Sequence, residues 1–236
     1  VEKHVNINRL LELTKPVATA VVPISAGRHI YKREPSFPIA VACDPAFNFV
    51  YEANIRYLHH LGEVTYFSPL ADTSLPDAGF VYLPGGYPEL YLAALSANRQ
   101  MLQSIRRYVE SGGKLLAECG GMMYLCDEIR DKNGDVYPMA GVLHQSATME
   151  NMKLRLGYRT LLYNETRLKG HEFHYSRLVE QQNPLPSCAV AYTAKGVETD
   201  TPLYHYKNVW AGYTHLYWAD PVGNEWFTKF VIDGNT

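Results

Sequence analysis

Short apolar runs alternate with helical periodicities after Pro38. Four runs have the composition of buried strands, IAVACD, EVTYF, GFVYL and KLLAE, and each leads into a polar or glycine-containing segment. Apolar residues recur at helical spacing from Val50 to Leu61 and from Met101 to Val109, which predicts amphipathic helices between the strands. Nearly continuous apolar strands that alternate with helices predict an α/β domain, in which a parallel sheet is covered on both faces.

The sequence also marks where these helices begin and end. Asp44 followed by Pro45 is typical of a helix start, and Gly62 is placed to end that helix. Asn98 is placed to cap the next helix, which Gly112 and the glycine after it would stop.

The second half of the chain has a different pattern, with strands joined by short connections. The segments KLRLGYRTLLY, HEFHYSRL, CAVAYTA and NVWAGYTHLYW have strand composition, and a closing helix is expected near residues 224–232. We expect these strands to extend the sheet in antiparallel fashion.

Residues 1–37 are unlike the rest. A short helix is expected around Arg9 to Thr14, and the later segment SAGRHIYKREPSFP is polar, bounded by proline and without periodicity, which is the composition of a linker. The predicted organisation is therefore a helix stub and linker in residues 1–37, cut from a longer protein, and a compact domain in residues 38–236.

Charge and cysteine content narrow the classes of function. The net charge is -2 and basic residues form no stripe, which argues against nucleic acid and anionic membranes as partners. No apolar run approaches the roughly 20 residues of a membrane span, and the first residues lack the pattern of a signal peptide. Four cysteines without a CxxC pair indicate reduced thiols in the cytoplasm rather than a disulfide scaffold or a zinc site.

Candidate chemistry centres on Cys119, where the strand KLLAE turns into a helix through Gly120 and Gly121. Ligands of open parallel sheets sit beyond the carboxyl ends of the strands. Small neighbours permit a tight turn that exposes the side chain, as in a nucleophile elbow. The helix N-terminus is expected to favour the thiolate, and the Gly120 N–H would face an oxyanion. A packed core cysteine at a glycine turn is an equally weighted alternative.

Two other segments could complete a site at the same edge. The loop LPGGYPE follows the preceding strand, and its glycines could present backbone N–H groups, although an ordinary turn explains PGG alone more simply. A cysteine nucleophile needs an imidazole, and His215 in AGYTHLYW could reach the elbow. For a lone histidine, a structural role is the simpler interpretation.

The segment GHEFHYS could suggest a metal site. Its histidines are three residues apart, so on a strand His171 and His174 point to opposite faces, whereas Glu172 and His174 share one face. The spacing does not fit a helical zinc site either. We therefore predict no metal ligands in this chain.

The segments GGYPELYLAALSAN, AECGGMMYL, MAGVL, LGYR, GHEFHYS and THLYW occur in this order between about residues 38 and 220. Together they resemble class I glutamine amidotransferases of the cobyrinate/cobyric-acid type, and GHEFHYS is similar in particular to the glutaminase domains of cobyrinic acid a,c-diamide synthases. The resemblance implies a three-layer, flavodoxin-like fold with a mostly parallel sheet and an antiparallel extension. It implies that Cys119 is the nucleophile, that His215 is its base, and that Gly86 and Gly120 form the oxyanion hole.

The chain departs from most class I glutaminases at Tyr217, where they carry a glutamate two residues after the histidine. Relatives of the cobyrinate type also lack that glutamate, so the resemblance implies a Cys–His dyad. Glu172 is a candidate replacement that would orient the imidazole. Glu172 and His174 could instead lie on the side of the acceptor, and a purely structural strand is an equal alternative.

The full synthases of this family carry an N-terminal ATP-binding domain, for which residues 1–37 would be the tail. The resemblance implies glutamine as substrate, no cofactor in this chain, and ATP with Mg in the missing domain. That synthetase domain would be the partner, with a corrinoid at the junction, and a homodimer is left open. The expected function is to supply ammonia for ATP-dependent amidation of the a- and c-carboxylates of cobyrinic acid in cobalamin biosynthesis.

Two alternatives stay open at this point. One is a glutaminase that serves another acceptor, such as nickel-sirohydrochlorin or a peptidoglycan precursor. The other is a domain that docks on a synthetase without hydrolysing glutamine.

Overall fold

The computed structural model describes residues 6–9 and 37–233. The chain divides into two compact units, residues 1–34 and residues 35–236, and the second carries the fold described below. Residues 7–9 are helical. The remainder of the helix predicted near Arg9 to Thr14, and the predicted linker, lie outside the described residues.

The strands of the second unit are short, apart from one long hairpin. They are β1 (Phe37–Ala42), β2 (Gly62–Phe67), β3 (Phe80–Leu83), β4 (Lys114–Glu118), β5 (Glu128–Arg130), β6 (Val136–Pro138), β7 (Ser146–Thr148), β8 (Arg155–Tyr163), β9 (Thr166–His174), β10 (Arg177–Leu178), β11 (Val190–Thr193), β12 (Glu198–Thr199), β13 (Leu203–Tyr206), β14 (Val209–Gly212) and β15 (His215–Leu216). The helices are α1 (Glu52–Leu61), α2 (Leu92–Ala97), α3 (Arg99–Glu110), α4 (Gly120–Leu125) and α5 (Pro221–Thr228).

Of the described strands, six form a central sheet in the order β13-β14-β4-β3-β1-β2. The four strands predicted from the apolar runs are β1 to β4, and they pair in parallel, as does β14 with β4. Only the edge strand β13 of this sheet is antiparallel. The predicted α/β class, with a mostly parallel sheet and an antiparallel extension, is confirmed.

Alternate strand residues supply two separate cores, one on each face of this sheet. Val81 and Leu115 pack with the buried sides of α3 and α4. Tyr82 and Leu116 pack with α1, α5 and the hairpin of β8 and β9 on the other face. This period of two makes both faces apolar, which is why the strands read as continuous apolar runs.

The sequence led us to expect that β8 and β9 extend the central sheet, but their hairpin does not belong to that sheet. It belongs to a five-stranded sheet in the order β12-β11-β8-β9-β15, and a third sheet has the order β10-β7-β5-β6. Leu161 and Leu168 of the hairpin are buried in the same core as Trp210 of β14. Packing across the face of the central sheet buries these side chains, which a position along its edge would leave exposed.

The helix boundaries were predicted with mixed success. Asn98 caps α3, since its side chain accepts a hydrogen bond from the Met101 N–H. The Asp44 prediction was wrong, because α1 begins only at Glu52. The Asp44 carboxylate instead accepts the N–H of Ala46 at 2.8 Å and closes a turn directly after β1.

The order of the central strands determines which loops meet. Strands β3, β4 and β14 are neighbours that run in the same direction, so their carboxyl ends lie at one edge of the sheet. The loop of Gly85 and Gly86 follows β3, Cys119 follows β4, and His215 comes shortly after β14. The three predicted parts of the site are therefore delivered to one edge.

In the described part of the chain, no helix combines the length and apolar character needed to cross a membrane. Within residues 6–9 and 37–233 there is also no group of three or more His, Cys, Asp or Glu side chains that could hold a metal ion.

Val81→Ala tests the two-core arrangement. Val81 is fully buried in the middle of the sheet, so the substitution should lower the free energy of unfolding by about 2 kcal/mol through lost burial and a cavity. Val197→Ala is the matched control, because Val197 is 62% exposed and should change stability by less than about 0.5 kcal/mol. Urea titration of both variants measures the difference, and equal midpoints would contradict the placement of Val81.

Candidate active site

Cys119 occupies a strained backbone position at the end of β4. Its φ and ψ are 48° and -106°, a region that costs a residue with a side chain about 1–3 kcal/mol. The position is held by hydrogen bonds on both sides, from the Cys119 N–H to the Gly212 carbonyl at 2.7 Å and from the Met123 N–H to the Cys119 carbonyl at 3.0 Å. The turn has the geometry predicted for a nucleophile elbow.

The glycines that flank Cys119 are required by close approach of the backbone. A Cβ on Gly121 would lie 2.1 Å from the Leu83 carbonyl oxygen. A Cβ on Gly120 would lie 2.7 Å from the Pro88 ring and 3.2 Å from the Gly86 nitrogen. The loop after β3 therefore lies directly against the elbow, and Gly86 and Gly120, the residues expected to form an oxyanion hole, are brought together.

His215 lines the same recess as Cys119. The recess is also lined by Phe49, Gly86 and Phe173 and has a volume of about 30 Å³. The imidazole is 3% exposed, and its ring centroid lies 4.3 Å from that of Phe49. The imidazole also packs directly on Gly85, because a Cβ at that residue would lie 2.2 Å from the His215 Cε1 atom.

Burial makes both ionisable groups of this recess neutral at rest. It raises the pKa of the Cys119 thiol to about 12, a shift that the charge of Glu89 increases and the Gly120 N–H opposes. It lowers the pKa of His215 to about 3, helped by the nearby His171. The pKa of Cys119 is therefore raised, opposite to the lowering expected from the helix N-terminus, because burial disfavours the charged sulfur.

Glu118 adjoins the nucleophile but was not among the site residues expected from the sequence. Its carboxylate is 98% buried and accepts hydrogen bonds from the Tyr82 hydroxyl at 2.7 Å and the Leu216 N–H at 3.0 Å. Oε2 lies 4.0 Å from the His215 Nδ1 atom. Burial raises the pKa of Glu118 to about 8, against the hydrogen bonds from Tyr82 and Leu216. A charged residue at the end of an apolar strand was the available signal.

Glu172 and His174 form a separate buried cluster. The Glu172 carboxylate accepts hydrogen bonds from His174 at 2.7 Å and Thr201 at 2.9 Å, and it pairs with Arg159. Burial opposes its ionisation, but these partners lower its pKa overall. Since β9 pairs His171, not Glu172, with His215, the geometry does not join Glu172 to the imidazole. The orienting role is thus left without structural support.

The acceptor-side alternative for the two residues stays a prediction. Glu172 and His174 line a cavity of about 510 Å³, together with Arg155, Arg177 and Asp200 among others. His174 also lines a small recess at Cys119, so its ring lies between the two spaces.

Tyr217 does not contribute a group to the recess. It is 38% exposed, and its ring makes an edge-on contact with that of Tyr51 at 5.6 Å. The position that carries a glutamate in most class I glutaminases therefore faces outward here.

Comparison with known proteins identifies relatives. Residues 38–222 match the family described as "CobB/CobQ-like glutamine amidotransferase domain". The hydrogenobyrinate a,c-diamide synthase of Pseudomonas aeruginosa is 40% identical over 76% of this chain and 41% of its own length. The cobyrinate a,c-diamide synthase of Clostridium acetobutylicum is 35% identical over 98% of this chain and 52% of its own length. The chain thus spans about half the length of the curated relatives it matches.

Solved structures agree on the fold. A structure described as PurLQS from Thermotoga maritima has a TM-score of 0.53 at 16% identity, over 84% of this chain and 96% of that one. A structure described as a glutamine amidotransferase has a TM-score of 0.52 at 17% identity, over 82% of this chain and 98% of that one. The match over most of the chain, with an elbow cysteine and a histidine in one recess, shows that the chain belongs to the CobB/CobQ-like glutamine amidotransferase family.

Proposed function

We propose that this chain hydrolyses glutamine at Cys119 and supplies the ammonia for ATP-dependent amidation of the a- and c-carboxylates of cobyrinic acid. One observation carries the proposal: the elbow cysteine shares a recess with His215, beside the paired loops of Gly86 and Gly120. The acceptor is proposed from the relatives, which are named cobyrinate and hydrogenobyrinate a,c-diamide synthases.

The chemistry follows from the groups in the recess. The Cys119 sulfur attacks the amide carbon of the glutamine side chain while His215 takes the thiol proton. The backbone N–H groups of Gly86 and Gly120 stabilise the oxyanion. His215 returns the proton to the leaving nitrogen, so ammonia departs and a thioester remains. Water then adds to the thioester, which releases glutamate and restores the thiol.

The neutral resting pair fits this sequence of events. With the pKa of Cys119 raised to about 12 and that of His215 lowered to about 3, the proton moves during the attack rather than before it. The Gly86 and Gly120 donors then stabilise charge that exists only in the transition state.

The recess has to widen before glutamine binds. Its volume of about 30 Å³ is far below the roughly 300–1,000 Å³ of typical small-molecule pockets. The Phe173 carbonyl oxygen lies 3.8 Å from the Cys119 sulfur and accepts a hydrogen bond from the thiol, a contact that the attack on glutamine would break. Movement of the end of β9 therefore belongs to substrate binding in this proposal.

The other half of the protein would receive the ammonia. Ammonia released into water becomes ammonium, which is not a nucleophile, so hydrolysis is useful only beside a sheltered acceptor. We infer that a synthetase domain holding ATP, Mg and the corrinoid docks near the recess, and that the cavity lined by Glu172 and His174 faces that junction.

An exposed apolar stripe next to the recess supports this docking. Leu154, Leu156 and Tyr158 alternate along β8 and its approach and are 44%, 56% and 74% exposed. The hairpin register pairs Leu156 with Phe173 and Tyr158 with His171. The stripe is therefore continuous with the wall of the recess, as expected of a surface that a partner covers.

Cys119→Ala tests the hydrolysis. A diazoketone analogue of glutamine should label Cys119 and spare Cys43, Cys126 and Cys188, and the alanine variant should release no glutamate above the uncatalysed rate. Mass spectrometry of the labelled peptides and a glutamate assay, both with the synthetase half present, provide the measurements. Equal glutamate release by wild type and variant would leave only a docking role.

Gly85→Ala tests the contribution of His215. A Cβ at this position lies 2.2 Å from the imidazole, so the ring must turn, and kcat/KM for glutamine should fall about 100-fold. Gly79→Ala is the matched control, because its Cβ presses at 2.6 Å on the Phe37 ring, which lies outside the recess. The idea fails if both variants retain wild-type kinetics, or if both lose activity together with their thermal stability.

Leu156→Asp tests the docking stripe. A charge there should weaken the contact between the two halves, so that less amide is formed for each glutamine hydrolysed, while added ammonium salt restores amidation. Val197→Asp, at a similarly exposed position away from the recess, should leave that ratio unchanged. An unaltered ratio in Leu156→Asp would rule out this surface.

A further inference from the structure

The His215 ring has one nitrogen that no partner explains. Nδ1 is buried and, among the described residues, forms no hydrogen bond. If the other nitrogen accepts the thiol proton, Nδ1 must carry a hydrogen that needs an acceptor, since a buried donor without a partner costs about 1–3 kcal/mol. The dyad implied by the resemblance leaves this hydrogen unassigned.

We propose that Glu118 is the positioning residue for His215, so that the site works as a Cys–His–Glu set in which the carboxylate comes from the strand of the nucleophile. The inference rests on the proposed glutamine hydrolysis and deepens it. It assigns to Glu118 the role of the carboxylate that orients the imidazole. Tyr217 has no carboxylate to fill this role, and the sequence had suggested Glu172 for it.

The geometry supports this assignment in two ways. The Glu118 Oε2 atom lies 4.0 Å from His215 Nδ1, and a modest movement would close that gap to a hydrogen bond, as often occurs between resting and reacting enzymes. The carboxylate is also fixed to the backbone next to the histidine, because Oε1 accepts the Leu216 N–H at 3.0 Å. The carboxylate is therefore kept close to the imidazole ring.

The hydroxyl of Tyr82 sets the carboxylate from the opposite side, donating to Oε2 at 2.7 Å. One oxygen thus accepts from Tyr82 while facing the imidazole. During the reaction His215 would accept the Cys119 proton on one nitrogen and donate its Nδ1 hydrogen to Glu118, without passing that hydrogen on.

An ionised Glu118 accepts the Nδ1 hydrogen more strongly than a neutral one and stabilises the imidazolium that forms during the reaction, which gives the role a pH signature. The pKa of Glu118 is raised to about 8 by burial, so the carboxylate is gained as the pH rises through that value. The other titratable groups that face this pair are Tyr51, Tyr82, Cys119, His171, Glu172 and His174. Burial raises the pKa of Tyr51 and Cys119 to about 12 and lowers that of His171, so these groups titrate elsewhere.

The test is the pH profile of glutamine hydrolysis by the full chain with the synthetase half present. In the wild type, kcat/KM should rise with pH around 8. In Glu118→Gln, kcat should fall about 100-fold with little change in KM, the size expected when acid–base catalysis is impaired, and the rise near pH 8 should disappear. Glu118→Asp should restore the rise at a reduced rate, which a packing defect would not do.

If Glu118→Gln fails to fold, Tyr82→Phe tests the positioning role of Glu118 instead. The Tyr82 hydrogen bond lowers the pKa of Glu118, so its removal should move the rise in kcat/KM to higher pH while the catalytic groups stay in place. An unmoved profile in Tyr82→Phe overturns the proposal. So does a Glu118→Gln variant that keeps the rise near pH 8, or a Glu172→Gln variant that alone abolishes it.

The two proposals fail in different ways. If the Cys119→Ala variant still releases glutamate, the proposal that this chain hydrolyses glutamine at Cys119 fails. Release that requires Cys119 but ignores Glu118 would leave hydrolysis intact and return the site to a dyad.

Discussion

The structure depends on one close crossing of backbones at the carboxyl edge of the central sheet. The chain leaves β4 at Cys119 with a positive φ, and Gly121 passes so close to the Leu83 carbonyl that no side chain fits. Hydrogen bonds to Gly212 and Met123 hold this turn. Because three parallel strands end beside one another, the same crossing brings the elbow, the glycine loop and the histidine strand together.

Burial is the second constraint, and it decides the electrostatics. Cys119, His215 and Glu118 are each at least 95% buried, so desolvation favours the neutral form of each group. Charge is then created only when the thiol proton moves. In the proposed reaction, the N–H groups of Gly86 and Gly120 and the carboxyl group of Glu118 would lie near that charge, an arrangement that favours a transition state over a resting state.

The local sequence pattern predicted the fold and the location of the site. The features that it did not predict depend on contacts between residues that are distant in sequence. The strands β1 to β4, the Asn98 cap and the meeting of Cys119 with His215 follow from periodicity, turn residues and family resemblance. The Asp44 helix start failed because its carboxylate closes a tighter turn with Ala46. For Glu118 the segment offered only a charged residue at the end of an apolar strand, and its role depends on Tyr82 and Leu216, which are distant in sequence.

The small size of the recess has a consequence for access to the Cys119 thiol. The recess measures about 30 Å³ and the Phe173 carbonyl lies 3.8 Å from the sulfur, so Cys119 is only 5% exposed. The end of β9, which carries Phe173, would have to move before a larger molecule could reach the sulfur. Burial in the neutral form shields the thiol from oxidants, because oxidation follows exposure and thiolate character.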